Sequence, residues 1–169
     1  ESKRLTNRRR LLHPRLSTDG KRAIASLING SFHDLVDVNL FDGSTSLLLH
    51  EEGASFLDSA LNHDGSKIVT VKIKEGNTSL LLVDDRGERI LVGPTGDELG
   101  DPVFIDDSTI LFTLEREDAF GAYRFDLESD VVEELFRDES GIFGLTVADG
   151  LLLYETAVAS GRAVRALDY

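Results

Sequence analysis

Short apolar runs of strand length, separated by turn residues, follow one another along the whole chain. Residues 80–83 and 151–154 are among the longest of these runs, and neither approaches the roughly 20 apolar residues needed to cross a bilayer. Hardly any stretch carries the 3.6-residue period of an amphipathic helix, and the nearest candidate, 130–136, fits a strand better by its place in the chain. The pattern therefore predicts an all-β protein.

A short apolar stretch that ends in Asp-Gly or Asp-Ser recurs four times. The last residues of these turns stand at positions 20, 65, 108 and 150, in steps of 45, 43 and 42. Glycine accepts the positive φ of a tight hairpin turn, and aspartate bonds to the backbone of its own turn. The predicted structural turn residues are Asp19, Gly20, Asp64, Gly65, Asp107, Asp149 and Gly150.

An aspartate also closes a strand-like run once in every repeat. These strand-end markers are Asp42, Asp84, Asp126 and Asp168, and each step between them is 42 residues. A repeat of about 40–45 residues that contains only short strands is typical of a β-propeller. The sequence thus predicts about four blades, each of four antiparallel strands.

The phase of the repeat divides the chain, which we treat as one propeller segment, 1–169. Residues 1–12 are predicted to be the last strand of a preceding or closing blade plus a linker. Blades follow at 13–55, 56–100 and 101–141, and an incomplete blade at 142–169. In the second unit the predicted strands are 56–61, 67–73, 78–84 and 88–92. Residues 1–7 would complete the last blade in a closed ring of four; we expect instead that the segment is part of a larger propeller.

Two segments, PRLSTDGKR at 14–22 and LNHDGSKI at 61–68, resemble the repeat of TolB-type propellers, which reads roughly P-x-[WF]-S-P-D-G-K-x-[IL]. The same repeat occurs in the propellers of prolyl-oligopeptidase-like and tricorn-like proteases. The sequence departs from it at Leu16, where the repeat has an aromatic residue, and at Thr18 and His63, where it has proline. The resemblance implies a TolB/WD-repeat-like β-propeller and, by analogy, a periplasmic or exported protein, with a cytoplasmic location left open.

Acidic charge is spread unevenly along the chain. The net charge is −13, but the first 15 residues hold six basic side chains, which leaves 12 basic and 30 acidic groups in the rest. An acidic body repels nucleic acid and anionic membrane and attracts basic groups. We therefore expect a protein or peptide partner, with a basic one favoured by charge, and neither nucleic-acid binding nor membrane insertion.

No catalytic, cofactor-binding or metal-binding motif is present in the sequence. The chain has no Cys and no G-x-S-x-G elbow, and the HEEGA segment at 50–54 lacks the second His of a zincin motif. We therefore expect no cofactor and no metal. His13, Asp58 and Asp101 are candidates for the rim of the central channel, since Asp58 and Asp101 stand at matching first-strand positions. Two carboxylates that share a channel would raise the pKa of one of them.

Three functions remain open. The first is a non-enzymatic scaffold that binds proteins or peptides on its loops and channel mouth, in contact with further blades of a parent protein. The second is the gating or substrate-filter domain of a larger serine peptidase, whose catalytic residues would lie outside this segment. The third is a glycan-active propeller that uses Asp58 and Asp101 as paired carboxylates. A propeller fold alone does not choose among them.

Overall fold

The computed structural model describes residues 5–6, 9–116 and 119–169. Within these residues fifteen strands form four antiparallel sheets that follow one another around a central channel. This arrangement confirms the prediction of an all-β propeller segment with four blades. No helix with the length and apolar character needed to cross a membrane occurs in this part of the chain.

Each blade is built from consecutive strands. The first blade contains β1 (Leu11–Leu16), β2 (Arg22–Asn29), β3 (Phe32–Asn39) and β4 (Thr45–Leu49). The second contains β5 (Ala54–Leu61), β6 (Ile68–Lys74), β7 (Asn77–Asp84) and β8 (Gly87–Thr95). The third contains β9 (Glu98–Phe104), β10 (Thr109–Arg116), β11 (Ala119–Asp126) and β12 (Val131–Asp138). The fourth contains β13 (Phe143–Ala148), β14 (Leu151–Val158) and β15 (Gly161–Asp168).

Strands lie side by side in sequence order within every blade, so each strand pairs with its neighbours along the chain. In the second blade all four strands overlap their predicted ranges. The starts differ by one or two residues, and β8 continues to Thr95 where the sequence suggested an end at 92. The turn residues next to the strands therefore determine most of the strand boundaries.

Apolar clusters between adjacent blades form the core. Ile24 and Leu35 of the first blade pack with Phe56, Ile68 and Leu81 of the second. Equivalent clusters join the second blade to the third and the third to the fourth. Because the middle strands are covered on both faces, their sequences are continuously apolar and lack the alternation of a sheet with one solvated face.

The N-terminal residues bear on the prediction that 1–7 form a fourth strand. Residues 1–4 and 7 lie outside the described residues, and Leu5 and Thr6 are not in a strand. The carbonyl oxygen of Leu5 would stand 2.0 Å from a Cβ at Gly43, so only glycine fits at this point of the turn between β3 and β4. Leu5 therefore lies beside the first blade and adds no strand to the fourth.

Pairing between strands corrects one strand-end marker. Arg22 pairs with Asn39 as Thr109 pairs with Asp126, so Asn39, and not Asp42, is the equivalent of Asp126. The Asn39 side chain accepts the backbone N–H of Phe41 at 2.8 Å. Asp126 makes the same bond two residues on, to Glu128 at 3.0 Å. Asp42 makes the same kind of bond in this turn, since it accepts the backbone N–H of Ser44 at 2.8 Å, so the turn after β3 uses both an amide and a carboxylate.

The turn that follows the first strand of the third blade is also closed by a different residue from the predicted one. Asp106, and not Asp107, accepts the backbone N–H two residues later, from Ser108 at 2.8 Å. Asp19 and Asp64 do the same in the first two blades, at 3.0 and 2.8 Å. Asp107 instead accepts a hydrogen bond from the neighbouring blade, which is described below.

Candidate functional site: the central channel

The first strands of all four blades, β1, β5, β9 and β13, line a central cavity of about 330 Å³. Its lining includes the basic side chain of Arg15 and the apolar side chains of Leu16, Leu61, Val103 and Leu145. A cavity formed where several structural elements meet is the usual place for a binding site in such folds. The channel is therefore the first place to look for function.

A β-bulge interrupts each of these four strands at the same point. The residue in the bulge has a left-handed backbone in every blade, with φ of 49° at His13, 41° at Asp58, 45° at Asp101 and 59° at Gly144. The pairing register shifts at each of these residues. A bulge re-aims the side chain of the extra residue, and here it places three polar side chains around the same axis.

The bulge residues contact one another across blade boundaries. His13 Nδ1 lies 3.7 Å from Asp58 Oδ1, which joins the first blade to the second. The backbone N–H of Gly144 donates to Asp101 Oδ2 at 3.0 Å, which joins the third blade to the fourth. Of the three residues named from the sequence as candidates for the channel rim, His13 and Asp58 are in contact, and Asp101 is near enough to Asp58 for their charges to interact. Gly144 holds the equivalent bulge position in the fourth blade. It was not predicted from the sequence because glycine has no side chain that would suggest a function.

The charge of Asp101 is poorly compensated. Burial raises the pKa of this carboxyl, the nearby charge of Asp58 raises it further, and Glu155 adds to the effect. The hydrogen bond from Gly144 and the charge of Arg15 act in the opposite direction without cancelling the rise. The sequence indicated repulsion between two carboxylates, but burial is the larger cause.

Replacing Asp101 with asparagine is expected to raise the thermal midpoint by about 2 °C at pH 7. Asparagine tolerates a positive φ and can still accept the Gly144 N–H, while the poorly compensated charge disappears. Since the folded pKa of Asp101 lies above the unfolded value, ionisation destabilises the wild type as pH rises through that window. The difference between the two proteins should vanish below about pH 4, near the unfolded pKa of aspartate. Thermal melts from pH 3.5 to 8 measure it.

Asp19→Asn is the matched control for this substitution. Hydrogen bonds from Ser17 and from the backbone of Lys21 lower the pKa of Asp19, so its charge stabilises the fold above that pKa. The control variant should lose stability at pH 7, with a sign opposite to that of Asp101→Asn. Equal shifts of the thermal midpoint in both variants would show that the change in net charge, and not the surroundings of Asp101, determines the stability difference.

Carboxylates at the crossovers between blades form a second set of contacts. Glu51 precedes β5 and binds Lys72 and Lys74, the latter at 2.6 Å. Hydrogen bonds from both lysines lower the pKa of Glu51. Asp97 binds Arg116 at 3.2 Å in the next blade. These residues clamp each crossover to the second strand of the following blade, and they are missed from the sequence because their partners lie about 20 residues away.

Asp138 is the last residue of β12, where the third crossover to β13 begins. Its Oδ2 accepts hydrogen bonds from Thr156 Oγ1 at 3.0 Å and from the Tyr154 hydroxyl at 3.4 Å. Both partners are on β14, the second strand of the fourth blade. All three crossovers therefore use one acidic residue for the same structural purpose.

A groove between the second and third blades encloses about 490 Å³. Its wall carries both signs of charge, including Lys67, Arg86, Arg89, Asp84 and Asp107. Asn62, which contacts the lining residues Lys67 and Asp107, is 1% exposed and donates through Nδ2 to Asp64 at 2.9 Å and to Asp107 at 2.8 Å. These hydrogen bonds satisfy the Asn62 amide and join the two blades beside the groove, which favours a structural role.

Metal chemistry finds no support in the described part of the chain. No three His, Asp or Glu side chains of residues 5–6, 9–116 and 119–169 are grouped so that they could hold a metal ion. The first strands around the channel carry a pair of carboxylates, Asp58 and Asp101, together with His13 and Arg15. Such a set can bind a cationic or amide-bearing group by charge and hydrogen bonds.

Comparison with known proteins shows which solved structures have a similar fold. No family model matches the sequence, and no curated protein matches it. Among solved structures, TolB from Acinetobacter baumannii superposes with a TM-score of 0.81 at 17% identity, over 97% of this chain and 42% of that one. The chain thus spans less than half the length of that protein. At this identity the likeness shows the fold alone.

Enzymes share the fold as well. An oligogalacturonate lyase in complex with manganese matches with a TM-score of 0.68 at 16% identity, over 92% of this chain and 49% of that one. A puromycin-hydrolyzing peptidase from Mycobacterium tuberculosis matches with a TM-score of 0.59 at 18% identity, over 86% of this chain and 26% of its own. Propellers similar to this one therefore occur in proteins of different functional classes.

Proposed function

We propose that this chain, a segment with the β-propeller fold of TolB, is a non-enzymatic scaffold that binds a protein or peptide at the mouth of its central channel. The observation that carries the proposal is the pair of carboxylates, Asp58 and Asp101, at the bulges of two neighbouring first strands, where burial and the charge of Asp58 both raise the pKa of Asp101. A lysine or arginine side chain from a partner would supply the missing positive charge. The net charge of −13 would also steer a basic partner towards the protein.

A fluorescent basic peptide, such as tetra-arginine, is expected to bind at least about 10-fold more weakly to the double variant Asp58→Asn/Asp101→Asn than to the wild type, a change of about 1.4 kcal/mol. Affinity for the wild type should fall as salt rises from 20 to about 300 mM, because exposed charges are screened. Fluorescence anisotropy measures both effects.

The control for this experiment is Asp19→Asn/Asp42→Asn, which removes the same charge from exposed turns away from the channel. If the control weakens binding as much as the channel variant, attraction is spread over the surface and the channel is not the site. If neither double variant changes an affinity that is also insensitive to salt, a charged channel mouth plays no part in binding.

A second candidate is the gating or substrate-filter domain of a larger peptidase. The likeness to the M. tuberculosis peptidase favours it, since 86% of this chain matches about a quarter of that protein. Reading the coding sequence on both sides of this segment separates the candidates. A hydrolase domain with its own nucleophile and base would support the gate, whereas further blades without such a domain would support the scaffold.

A glycan-active propeller is the third candidate, and the oligogalacturonate lyase likeness is the observation in its favour. It requires turnover of a glycoside that is lost on Asp58→Asn or Asp101→Asn, and a broad glycoside panel tests this.

For the scaffold, the TolB likeness suggests an exported or periplasmic protein by analogy, which fractionation of cells that carry the tagged parent gene would test.

A further inference from the structure

A pocket between the second and third blades opens beside the channel bulge at Asp58. It has a volume of about 330 Å³ and lies at the end of β6 that is opposite to the charged groove between the same blades. Asp58 is one of its lining residues, and the apolar part of its wall is formed by Leu57, Val71, Ile73 and Leu99. Leu57 and Ile73 are only half-buried, so part of their apolar surface is open to a ligand. The pocket therefore joins apolar surface to a carboxylate beside the channel.

The apolar wall distinguishes this blade boundary from its neighbours. By strand pairing, Ser26 of the first blade and Thr113 of the third stand where Val71 stands in the second. At the first boundary the Ser26 hydroxyl donates to the carbonyl oxygen of Phe56 at 2.8 Å. Phe56 also holds the place of Leu99, since each stands two residues before the bulge of its strand. The second boundary thus has an apolar wall and a smaller side chain where the first has a ring and a hydrogen bond.

The rim of the pocket carries negative charge that the chain compensates only in part. Asp97 is paired with Arg116 at 3.2 Å. Glu98 also lines the pocket and is exposed, and no cation of the described residues lies within salt-bridge distance of it. The partner of Asp58 is His13, at 3.7 Å, and an imidazole is charged only when it is protonated. A cationic group of a partner is therefore attracted to this rim as well as to the channel.

The pocket has room for one apolar side chain. Its volume lies at the lower end of the roughly 300–1,000 Å³ that is typical of ligand pockets. Gly96 is exposed and lines the pocket, and a Cβ placed on this residue would meet no atom within 4 Å. The φ of Gly96 lies outside the left-handed region, so the backbone does not require glycine at this position. The space beside Gly96 is therefore open to a side chain of another molecule.

We propose that this pocket is a subsite for an apolar side chain of the segment that binds at the channel mouth, and that a basic residue stands two positions away in that segment. The inference rests on the proposed function and names the sequence pattern that the partner presents. In an extended segment, side chains two positions apart point to the same side. The basic residue pairs with Asp58 and Asp101, while the apolar residue packs on Leu57 and Ile73. Charge attracts basic segments in general, and the pocket selects among them.

Two labelled peptides that differ only at the apolar positions test the subsite. One has the sequence GKGLGKGLGKG, in which lysine and leucine alternate on one side of an extended chain, and the other has serine in place of both leucines. The wild type should bind the leucine peptide at least about 10-fold more tightly, because burial of a leucine side chain has an effect of that size. Both peptides should lose affinity in the double variant Asp58→Asn/Asp101→Asn. Fluorescence anisotropy measures all four affinities.

Gly96→Leu tests the pocket itself, because the new side chain occupies the open space. This variant should bind the leucine peptide only as well as the serine peptide, and it should bind the serine peptide as the wild type does. Ile73→Thr, which keeps a β-branched residue but makes the wall less apolar, should also reduce the preference for leucine. Ser46→Leu is the matched control: it adds a leucine on the exposed surface of β4 and should keep the wild-type preference.

The outcomes separate failure of the subsite from failure of the proposed function. Equal binding of the two peptides by the wild type overturns the subsite, while weaker binding of both by Asp58→Asn/Asp101→Asn still supports the channel mouth as the site. A leucine preference that is unchanged in Gly96→Leu and in Ile73→Thr places the apolar contact elsewhere and also overturns the subsite. If neither peptide binds at about 1 mM, where even weak affinities register, the proposed function fails and the subsite fails with it.

Discussion

Replacing Phe112 with alanine is expected to lower the free energy of unfolding by about 3–5 kcal/mol. The ring is fully buried between the second and third blades and stacks on Tyr123 with 5.6 Å between ring centroids. Removing it leaves a cavity between two sheets, and two hydrogen-bonded sheets can close only partly over such a cavity. Because the same residue touches both blades, the interface should weaken along with the core.

Chemical denaturation measures this loss, and the thermal midpoint should fall by about 10 °C for a chain of this size. Phe41→Ala is the matched control. It removes the same ring from a side chain that is 90% exposed, so its effect should stay within about 0.5 kcal/mol. Similar losses in the two variants would contradict the blade interface as the source of stability.

Replacing Asn62 with aspartate is expected to lower the free energy of unfolding by about 3–5 kcal/mol at pH 7. The substitution keeps the size of the side chain and the acceptor for the Lys67 N–H, which bonds Asn62 Oδ1 at 2.9 Å. It exchanges the amide donor for an oxygen that faces Asp64 and Asp107. Three carboxylates would then share a site in which the central residue is only 1% exposed.

Acidification should restore much of this loss. One of the three carboxyls in the Asn62→Asp protein takes up a proton in the folded state well above its unfolded pKa, because like charges and burial both favour the neutral form. Stability is therefore present at low pH and is lost as pH rises through the raised folded pKa. Denaturant titrations at pH 4.5 and 7 measure the recovery.

Asn77→Asp is the control for this prediction. The Asn77 amide is exposed and contacts only the backbone carbonyl of Glu75, at 3.4 Å, so its replacement should change stability by less than about 0.5 kcal/mol at either pH. A loss at Asn62 that did not depend on pH would point to the lost hydrogen bonds, and not to repulsion, as the cause.

The blade repeat was predictable because it is local. A strand closed by an aspartate or asparagine turn needs only residues within a few positions of each other, and this chemistry fixed the number of blades and the strands of the second blade. Asn39 and Asp42 each accept a backbone N–H two residues later, and only strand pairing shows that Asn39 is the equivalent of Asp126.

Contacts between blades were not predictable in the same way. Asp107 is adjacent to the turn-closing Asp106, yet it bonds Asn62 in another blade, 45 residues away in sequence. The crossover clamp between Glu51 and the lysines of β6 also spans about 20 residues. Pairs of this kind depend on how one sheet is placed against the next, and a single sequence records neither the distance nor the direction.

The residues beside the channel could be predicted in part. His13, Asp58 and Asp101 were chosen because they are polar at the first strand of a repeat, and in the structure each of them stands at the bulge of its first strand. The β-bulges at these positions could not be predicted from the sequence. The four residues with a left-handed backbone are a histidine, two aspartates and a glycine, which have no common side-chain pattern.

The four bulges limit which residues can stand beside the channel. A left-handed backbone suits glycine, asparagine, aspartate and histidine, and it disfavours the β-branched and bulky residues that fill the strands elsewhere. Variation at positions 13, 58, 101 and 144 is therefore confined to a small set of short or polar residues. A lineage of such blades could exchange acid for amide or imidazole one blade at a time without disturbing the sheets. The backbone thus restricts which side chains can stand at these four positions beside the channel.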